Sequence, residues 1–164
     1  MFQLNLKRVL PIVAVTLVLA ACSGPKAATV THADMQGNWI LNNITYDGLG
    51  SGDNVKMTLL DEGSDACLKG SAWNLPFNGY GSYTLSSTAA GCPTGMRKIV
   101  WSYQKSGDQP YFQFKRLEEG VKAKNVEDGY RFKVVEVTKT SMSLQTEVAF
   151  EGKSVFINYS FAKQ

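Results

Sequence analysis

The strongest constraint on the fold is a two-residue alternation near the end of the chain. From Met142 to Val148, mostly apolar side chains alternate with polar ones, and the run from Val155 to Phe161 repeats the pattern. A period of two sends successive side chains to opposite faces of a β-strand. The Glu151-Gly152 dipeptide between the runs is typical of a tight hairpin, so the two strands are predicted to pair antiparallel.

Similar short runs, separated by Gly, Asn, Asp, Ser and Pro, fill most of the chain after residue 36, and none shows sustained helical periodicity. The predicted strands are 37–45, 54–60, 66–74, 79–86, 97–103, 111–116, 130–138, 141–150 and 153–161. Their short connections predict an all-β, antiparallel up-and-down meander. Such a meander removes its exposed edges by closing into an eight- or nine-stranded barrel, and an open sandwich is the alternative.

The N-terminus has the three-part layout of an export signal. Lys7 and Arg8 precede an apolar run, residues 9–19, which is followed by Ala20 and Ala21. The run is shorter than the roughly 20 apolar residues that span a bilayer. Residues 1–21 are therefore predicted to be a signal peptide that is cleaved.

The segment Leu19-Ala20-Ala21-Cys22 resembles the lipobox of bacterial lipoproteins. This resemblance implies that Cys22 becomes the lipidated first residue, carrying a diacylglyceryl group and an amide-linked fatty acid such as palmitate. About two acyl chains suffice for stable anchoring. Ser23 resembles the following residue of lipoproteins sorted to the outer membrane of Gram-negative bacteria. The alternative is an ordinary signal peptide with a cysteine at its cleavage site.

The mature chain divides into a tether and one domain. Residues 22–34 are small and polar, without apolar periodicity, and are predicted to be a lipidated N-terminus and flexible tether. Residues 35–164 are predicted to be the barrel domain. After cleavage, 15 Lys and Arg balance 14 Asp and Glu. This near-neutral balance predicts no nucleic-acid partner.

Two cysteines remain once Cys22 is assigned to lipid. Cys67 and Cys92 form an even pair in an exported chain, which favours a disulfide. A catalytic or metal-binding thiol is the rival interpretation, but the single histidine, His32, lies in the predicted tether. The adjacent acidic residues Asp61 and Glu62 are interpreted as solvated loop charges, and no metal site or cofactor is predicted.

The start of the predicted domain resembles the first strand of lipocalins. Gly37-Asn38-Trp39, followed by Ile40, Leu41 and Ile44, is similar to the Gly-x-Trp signature of that family. The wider pattern, similar to bacterial lipocalin-like lipoproteins, comprises Cys67, Gly70, Ser71 and Trp73, then Gly81-Ser82-Tyr83-Thr84, Cys92, Ile99-Val100-Trp101-Ser102, Gly129-Tyr130-Arg131 and Ile157-Asn158-Tyr159-Ser160-Phe161. The resemblance implies a barrel floor closed by Gly37 and Trp39.

The chain departs from the lipocalin pattern at two points. It has no Thr-Asp-Tyr turn motif, and its last strand has no arginine to stack over Trp39. Arg116 and Arg131, on neighbouring predicted strands, are candidate substitutes. With these departures, the chain resembles an outlying branch of the lipocalin-like proteins.

Two non-catalytic functions remain open, because the usual nucleophile and base pairs of enzymes cannot be assembled from this sequence. As a binding module, the barrel would hold a small hydrophobic ligand, with Trp73, Trp101, Phe112, Phe114 and Met142 as candidate lining residues. The same five residues could instead fill a small barrel, and an internal cavity of about 300 Å³ or more would favour binding. As a structural or interaction module, the anchored domain would contact another envelope component.

Overall fold

The alternating segments form eight antiparallel strands in the computed structural model, which describes residues 29–49 and 57–164. The strands are β1 (Gly37–Asp47), β2 (Ala72–Leu75), β3 (Tyr80–Leu85), β4 (Gly95–Ser106), β5 (Gln109–Leu117), β6 (Tyr130–Val137), β7 (Ser141–Phe150) and β8 (Lys153–Lys163), with a short helix α1 (Asp65–Leu68) before β2 and a 3₁₀ turn (Ala123–Asn125) before β6. Each strand pairs with the next, and β8 pairs with β1 to close the barrel. The predicted all-β meander and its closure are confirmed.

One predicted strand and half of another are wrong. Residues 54–56 lie outside the described part, and residues 57–64 form a tight loop, whereas helix α1 occupies the start of the segment predicted as strand 66–74. Leu60 and Asp61 have φ values of 52° and 53°, in the left-handed region that lies outside the β conformation of non-glycine strand residues. The apolar residues of this loop are buried against the end of the barrel instead of in its wall.

The lower end of the barrel, where β1 begins and β8 ends, is closed around Trp39. This side chain is fully buried, and its indole N–H donates a hydrogen bond of 2.9 Å to the carbonyl of Met35. The ammonium of Lys163 lies 4.9 Å from the centre of the Trp39 ring. A lysine on the last strand thus takes the place expected for an arginine, and Arg116 and Arg131 do not. Gly37 is required here, since it has a φ of 121° and an added Cβ would come within 2.9 Å of the Lys163 side chain.

Residues 30–34, at the end of the predicted tether, also contact the lower end of the barrel. The Tyr103 hydroxyl donates a 2.6 Å hydrogen bond to the carbonyl of Val30. The ring of His32 stacks on Trp101 at 4.4 Å with an interplanar angle of 5°. Asp34 closes a turn by accepting hydrogen bonds from the backbone and hydroxyl of Thr31. The N-terminal segment therefore leaves the domain from its lower end.

Candidate functional site

Aromatic side chains fill the barrel interior. Phe114 packs against Trp73 at 5.4 Å, Phe112 at 5.9 Å and Phe132 at 6.0 Å between ring centres. Tyr83 stacks on Trp73 at 4.5 Å. All five rings are at most 3% exposed, so the middle of the barrel is a packed core without room for a ligand.

The interior opens into a cleft of about 580 Å³ at the upper end, opposite the Trp39 floor. Its lining residues are Met57, Thr58, Leu59, Leu60, Gly129, Tyr130, Arg131, Phe132, Thr146, Glu147, Val148, Ala149, Phe150, Ile157 and Tyr159. Most of these side chains are apolar or aromatic. Small-molecule sites in proteins have volumes of about 300–1,000 Å³ and such a lining.

The cleft exists because β6 and β7 part at their upper ends. Their pairing reaches Lys133 and Gln145 and goes no further. Beyond that point residues 130–132 of β6 remain paired with β5, and residues 146–150 of β7 remain paired with β8. A bulge between Val134 and Glu136 precedes the separation, and bulges bend and twist a strand locally. The gap gives the barrel a side opening flanked by two strands whose facing edges are unpaired.

A roof loop, residues 57–64, covers the upper end next to this opening. Its tight reversal is held by hydrogen bonds from the Leu59 amide to the Gly63 carbonyl at 2.7 Å and from the Glu62 amide to the Leu59 carbonyl at 3.0 Å. Leu59 and Leu60 are buried against the core, which compensates for the left-handed backbone at Leu60. The roof loop thus supplies apolar side chains to the cleft.

Glu62 fastens the roof loop to the barrel wall. Its carboxylate accepts two hydrogen bonds from the Arg97 guanidinium, at 3.0 and 3.1 Å. It accepts a third from Arg116 at 3.0 Å and a fourth from the hydroxyl of Tyr83 at 2.7 Å. The Glu62 side chain is only 3% exposed. We call these four residues the Glu62 clamp.

The interpretation of Glu62 as a solvated charge is wrong, whereas its neighbour Asp61 has a side chain that is 73% exposed. No local signal marks the difference between the two residues. The partners of Glu62 lie 21 to 54 residues further along the chain, and only barrel closure brings them together.

Burial and hydrogen bonding act in opposite directions on the Glu62 carboxyl. Burial alone would raise its pKa, but the hydrogen bonds from Tyr83, Arg97 and Arg116 outweigh burial and hold the pKa below its usual value. Burial and the Glu62 carboxylate together raise the pKa of Tyr83 far above its usual value, so its hydroxyl remains a donor. The clamp is therefore a charged network at neutral pH.

Tyr159 is a polar group inside the cleft. Burial raises the pKa of its hydroxyl to about 12, so the phenol is neutral under physiological conditions. Its ring packs edge-on against Phe132 at 5.2 Å. The cleft therefore combines a mostly apolar lining with neutral hydroxyl groups, among them that of Tyr159, and with the charged residues Arg131 and Glu147.

The predicted disulfide is confirmed: Cys67 and Cys92 are bonded, with their Cα atoms 5.1 Å apart. The bond joins helix α1 to the loop between β3 and β4 at the upper end. A hydrogen bond of 2.8 Å from the Ser87 hydroxyl to the Ala66 carbonyl joins the same two segments. Because α1 directly follows the roof loop, the disulfide restrains one side of the roof.

The five candidate lining residues lie in the core and not around the cleft. Trp73, Phe112 and Met142 contribute nothing to the cleft lining, and all five are at most 3% exposed. Trp101 and Phe114 border a second, smaller groove of about 290 Å³ on the barrel wall. Their role as ligand contacts stays a prediction. The residues that line the cleft were not predicted, because no local sequence pattern shows where two strands separate.

Cys22 and the signal peptide lie outside the described residues. Within residues 29–49 and 57–164, no helix has the length and apolar character needed to cross a membrane.

Comparisons with known proteins give a weak likeness to a solved structure. No protein-family model matches the chain, and no curated protein matches its sequence. Among solved structures it is similar to bovine odorant binding protein in complex with a selenium-containing odorant, with a TM-score of 0.41 and 12% sequence identity. The match covers 87% of this chain and 78% of that chain. This likeness therefore indicates no function for the chain.

Proposed function

We propose that this chain is a lipid-anchored protein of the bacterial cell envelope whose lipocalin-like barrel binds a small hydrophobic or amphipathic molecule. The observation that carries the binding proposal is the upper cleft of about 580 Å³ with its mostly apolar lining. The side opening between β6 and β7 gives a ligand access without unfolding the barrel. The neutral hydroxyl of Tyr159 provides one polar contact for orientation.

We assign no catalytic role to the barrel. His32 stacks on Trp101 at the lower end, away from the cleft, and Cys67 and Cys92 are joined to each other. These residues, from which a nucleophile and base would be drawn, are used in packing and cross-linking.

The anchoring proposal rests on the export signal and on the Leu19-Ala20-Ala21-Cys22 segment. Replacement of Cys22 by Ala removes the thiol that would carry the diacylglyceryl group. We expect the Cys22→Ala chain to move from the membrane fraction to the soluble fraction after cell lysis and ultracentrifugation. Continued sedimentation with membranes in high salt would contradict anchoring through this residue.

The binding proposal is tested by filling the cleft. Val148 lines it, and a Val148→Trp substitution should occupy the space that a ligand needs. Val121, in the loop between β5 and β6, is 38% exposed and does not line the cleft, so Val121→Trp is the matched control. Both substitutions would be made in the Cys22→Ala background, which avoids detergent.

The measurement is fluorescence titration with N-phenyl-1-naphthylamine, a small apolar probe. We expect the control to bind the probe as the parent chain does, and Val148→Trp to bind it about tenfold more weakly, a loss of roughly 1.4 kcal/mol. Equal binding by both variants would place the probe elsewhere. Native mass spectrometry of the lipidated chain purified from its own envelope should then reveal a small molecule that Val148→Trp lacks.

A further inference from the structure

Two aromatic side chains are exposed together near the lower end of the barrel. Phe77 is 75% exposed, and Tyr80 is 62% exposed. They lie in and just after the turn that joins β2 to β3. Tyrosine is enriched at interfaces, where its ring can meet an apolar partner while its hydroxyl stays in contact with water.

Hydrogen bonds to the barrel wall hold the turn that carries Phe77. The Gly79 amide donates to the Pro76 carbonyl at 3.1 Å, and the Trp101 indole donates to the same carbonyl at 3.1 Å. The Trp101 amide donates to the Gly79 carbonyl at 2.8 Å. Gly79 has a φ of 79°, and an added Cβ would come within 2.9 Å of the Trp101 carbonyl oxygen. The barrel wall thus sets the exposure of Phe77.

The N-terminal segment leaves the barrel beside this turn. The ring of His32 contacts Phe77 edge-on at 5.5 Å while it stacks on Trp101. Only eight peptide steps separate Cys22 from Val30, which is hydrogen-bonded to Tyr103. At 3.3–3.6 Å per residue those steps span at most about 29 Å. An acyl group on Cys22 would therefore keep the exposed pair close to the membrane.

We propose that Phe77 and Tyr80 dock the lower end of the barrel onto the lipid surface in which Cys22 is anchored. This inference rests on the proposed lipidation of Cys22. Aromatic rings favour the membrane interface, where an apolar ring meets lipid and a phenolic hydroxyl meets the headgroups. The anchor is the reason to choose lipid over a protein partner, because it holds this face within reach of a bilayer. Docking in this way points the upper cleft away from the membrane.

The cysteine content of the chain allows a single introduced cysteine to be labelled. Its three cysteines are Cys22 and the Cys67–Cys92 pair, so an introduced cysteine is the free thiol once Cys22 is lipidated. The test variant is Phe77→Cys. The control is Met96→Cys, because Met96 is 62% exposed at the upper end of β4. Each lipidated full-length variant is labelled with the fluorophore NBD and reconstituted into vesicles of phosphatidylethanolamine and phosphatidylglycerol.

The readouts are the NBD emission wavelength and its quenching by nitroxide-labelled lipids. We expect the label at position 77 to shift to the blue and to be quenched about twofold or more relative to the label at position 96. Equal quenching at the two positions would overturn the proposal. A blue shift without lipid quenching would also overturn it, since it would show that protein covers this face.

Failure of the anchor is separable from failure of docking. Flotation of the same vesicles reports whether the chain is attached. A chain that fails to float overturns the anchoring and the docking together. A chain that floats with an unquenched label at position 77 overturns the docking alone.

Discussion

The Glu62→Gln substitution should destabilise the domain by about 2 kcal/mol. Removal of one partner of a fully buried ion pair costs about 3–5 kcal/mol. The side chains of Arg97 and Arg116 are 27% and 34% exposed, so solvent screens part of their unpaired charge and the cost falls below that range. Glutamine keeps one oxygen that can accept from Tyr83, but it loses the charge shared by both guanidinium groups.

The assay is urea unfolding at pH 7 followed by tryptophan fluorescence and far-UV circular dichroism. With a denaturant slope of about 1–3 kcal/mol/M, a loss of about 2 kcal/mol lowers the midpoint by roughly 1 M. Asp61→Asn is the matched control, because it makes the same chemical change in the adjacent, mostly exposed residue. Its ion pair with Arg116, at 3.6 Å, should contribute less than about 1 kcal/mol.

The loss of stability caused by Glu62→Gln should depend on pH. The pKa of Glu62 is lowered in the folded state, so its contribution is fully present above the unfolded value of about 4.3 and is lost as the pH falls through the folded value. The difference between the parent chain and Glu62→Gln should therefore shrink as the pH drops below about 4.3. Two results would contradict this prediction: a Glu62→Gln substitution no more destabilising than Asp61→Asn at pH 7, or a difference that persists unchanged in acid.

Three further outcomes follow from contacts outside the Glu62 clamp. Replacement of Cys67 and Cys92 by Ser should lower the free energy of unfolding by about 3.5 kcal/mol, from the separation of 25 residues, and reductant in a urea titration should reproduce this loss in the parent chain only. Lys163→Met should cost about 0.5–1 kcal/mol by removing the cation over the Trp39 ring, and Lys163→Arg should restore it; equal stabilities in thermal unfolding would contradict this contact. Tyr103→Phe should speed amide hydrogen exchange in residues 30–34 without changing exchange in β7, as measured by mass spectrometry, and unchanged exchange would show that the hydrogen bond does not hold the segment.

Seven of the nine predicted strands correspond closely to observed strands, because alternation is a local property. Residues 141–150 were predicted as a strand and form β7 with the same bounds, and the Glu151-Gly152 hairpin follows as expected. The segment 54–60 was wrongly predicted as a strand, since its short apolar run resembles one. Leu59 and Leu60 are buried as a roof over the barrel end, and burial by itself does not require a sheet.

Most of the candidate site could not be predicted from the sequence. The cleft depends on where β6 and β7 stop pairing, which is decided by a bulge and by competition from β5 and β8 for the same strands. The choice between a solvated and a clamped Glu62 depends on two arginines 35 and 54 residues away. Aromatic residues could be recognised as interior, but a core ring and a ligand-lining ring have the same sequence pattern.

Local sequence patterns predict the antiparallel strands, the Gly37-x-Trp39 start of the barrel and the pairing of Cys67 with Cys92. Tertiary structure alone decided that Lys163 covers Trp39, that Glu62 is buried, that Phe77 is exposed and that the barrel opens between β6 and β7. The physical reason is the distance along the chain over which each kind of interaction acts. Alternation and turn chemistry act over a few residues, whereas charge burial, ring stacking and strand separation are set by barrel closure, which brings together residues as distant as Trp39 and Lys163.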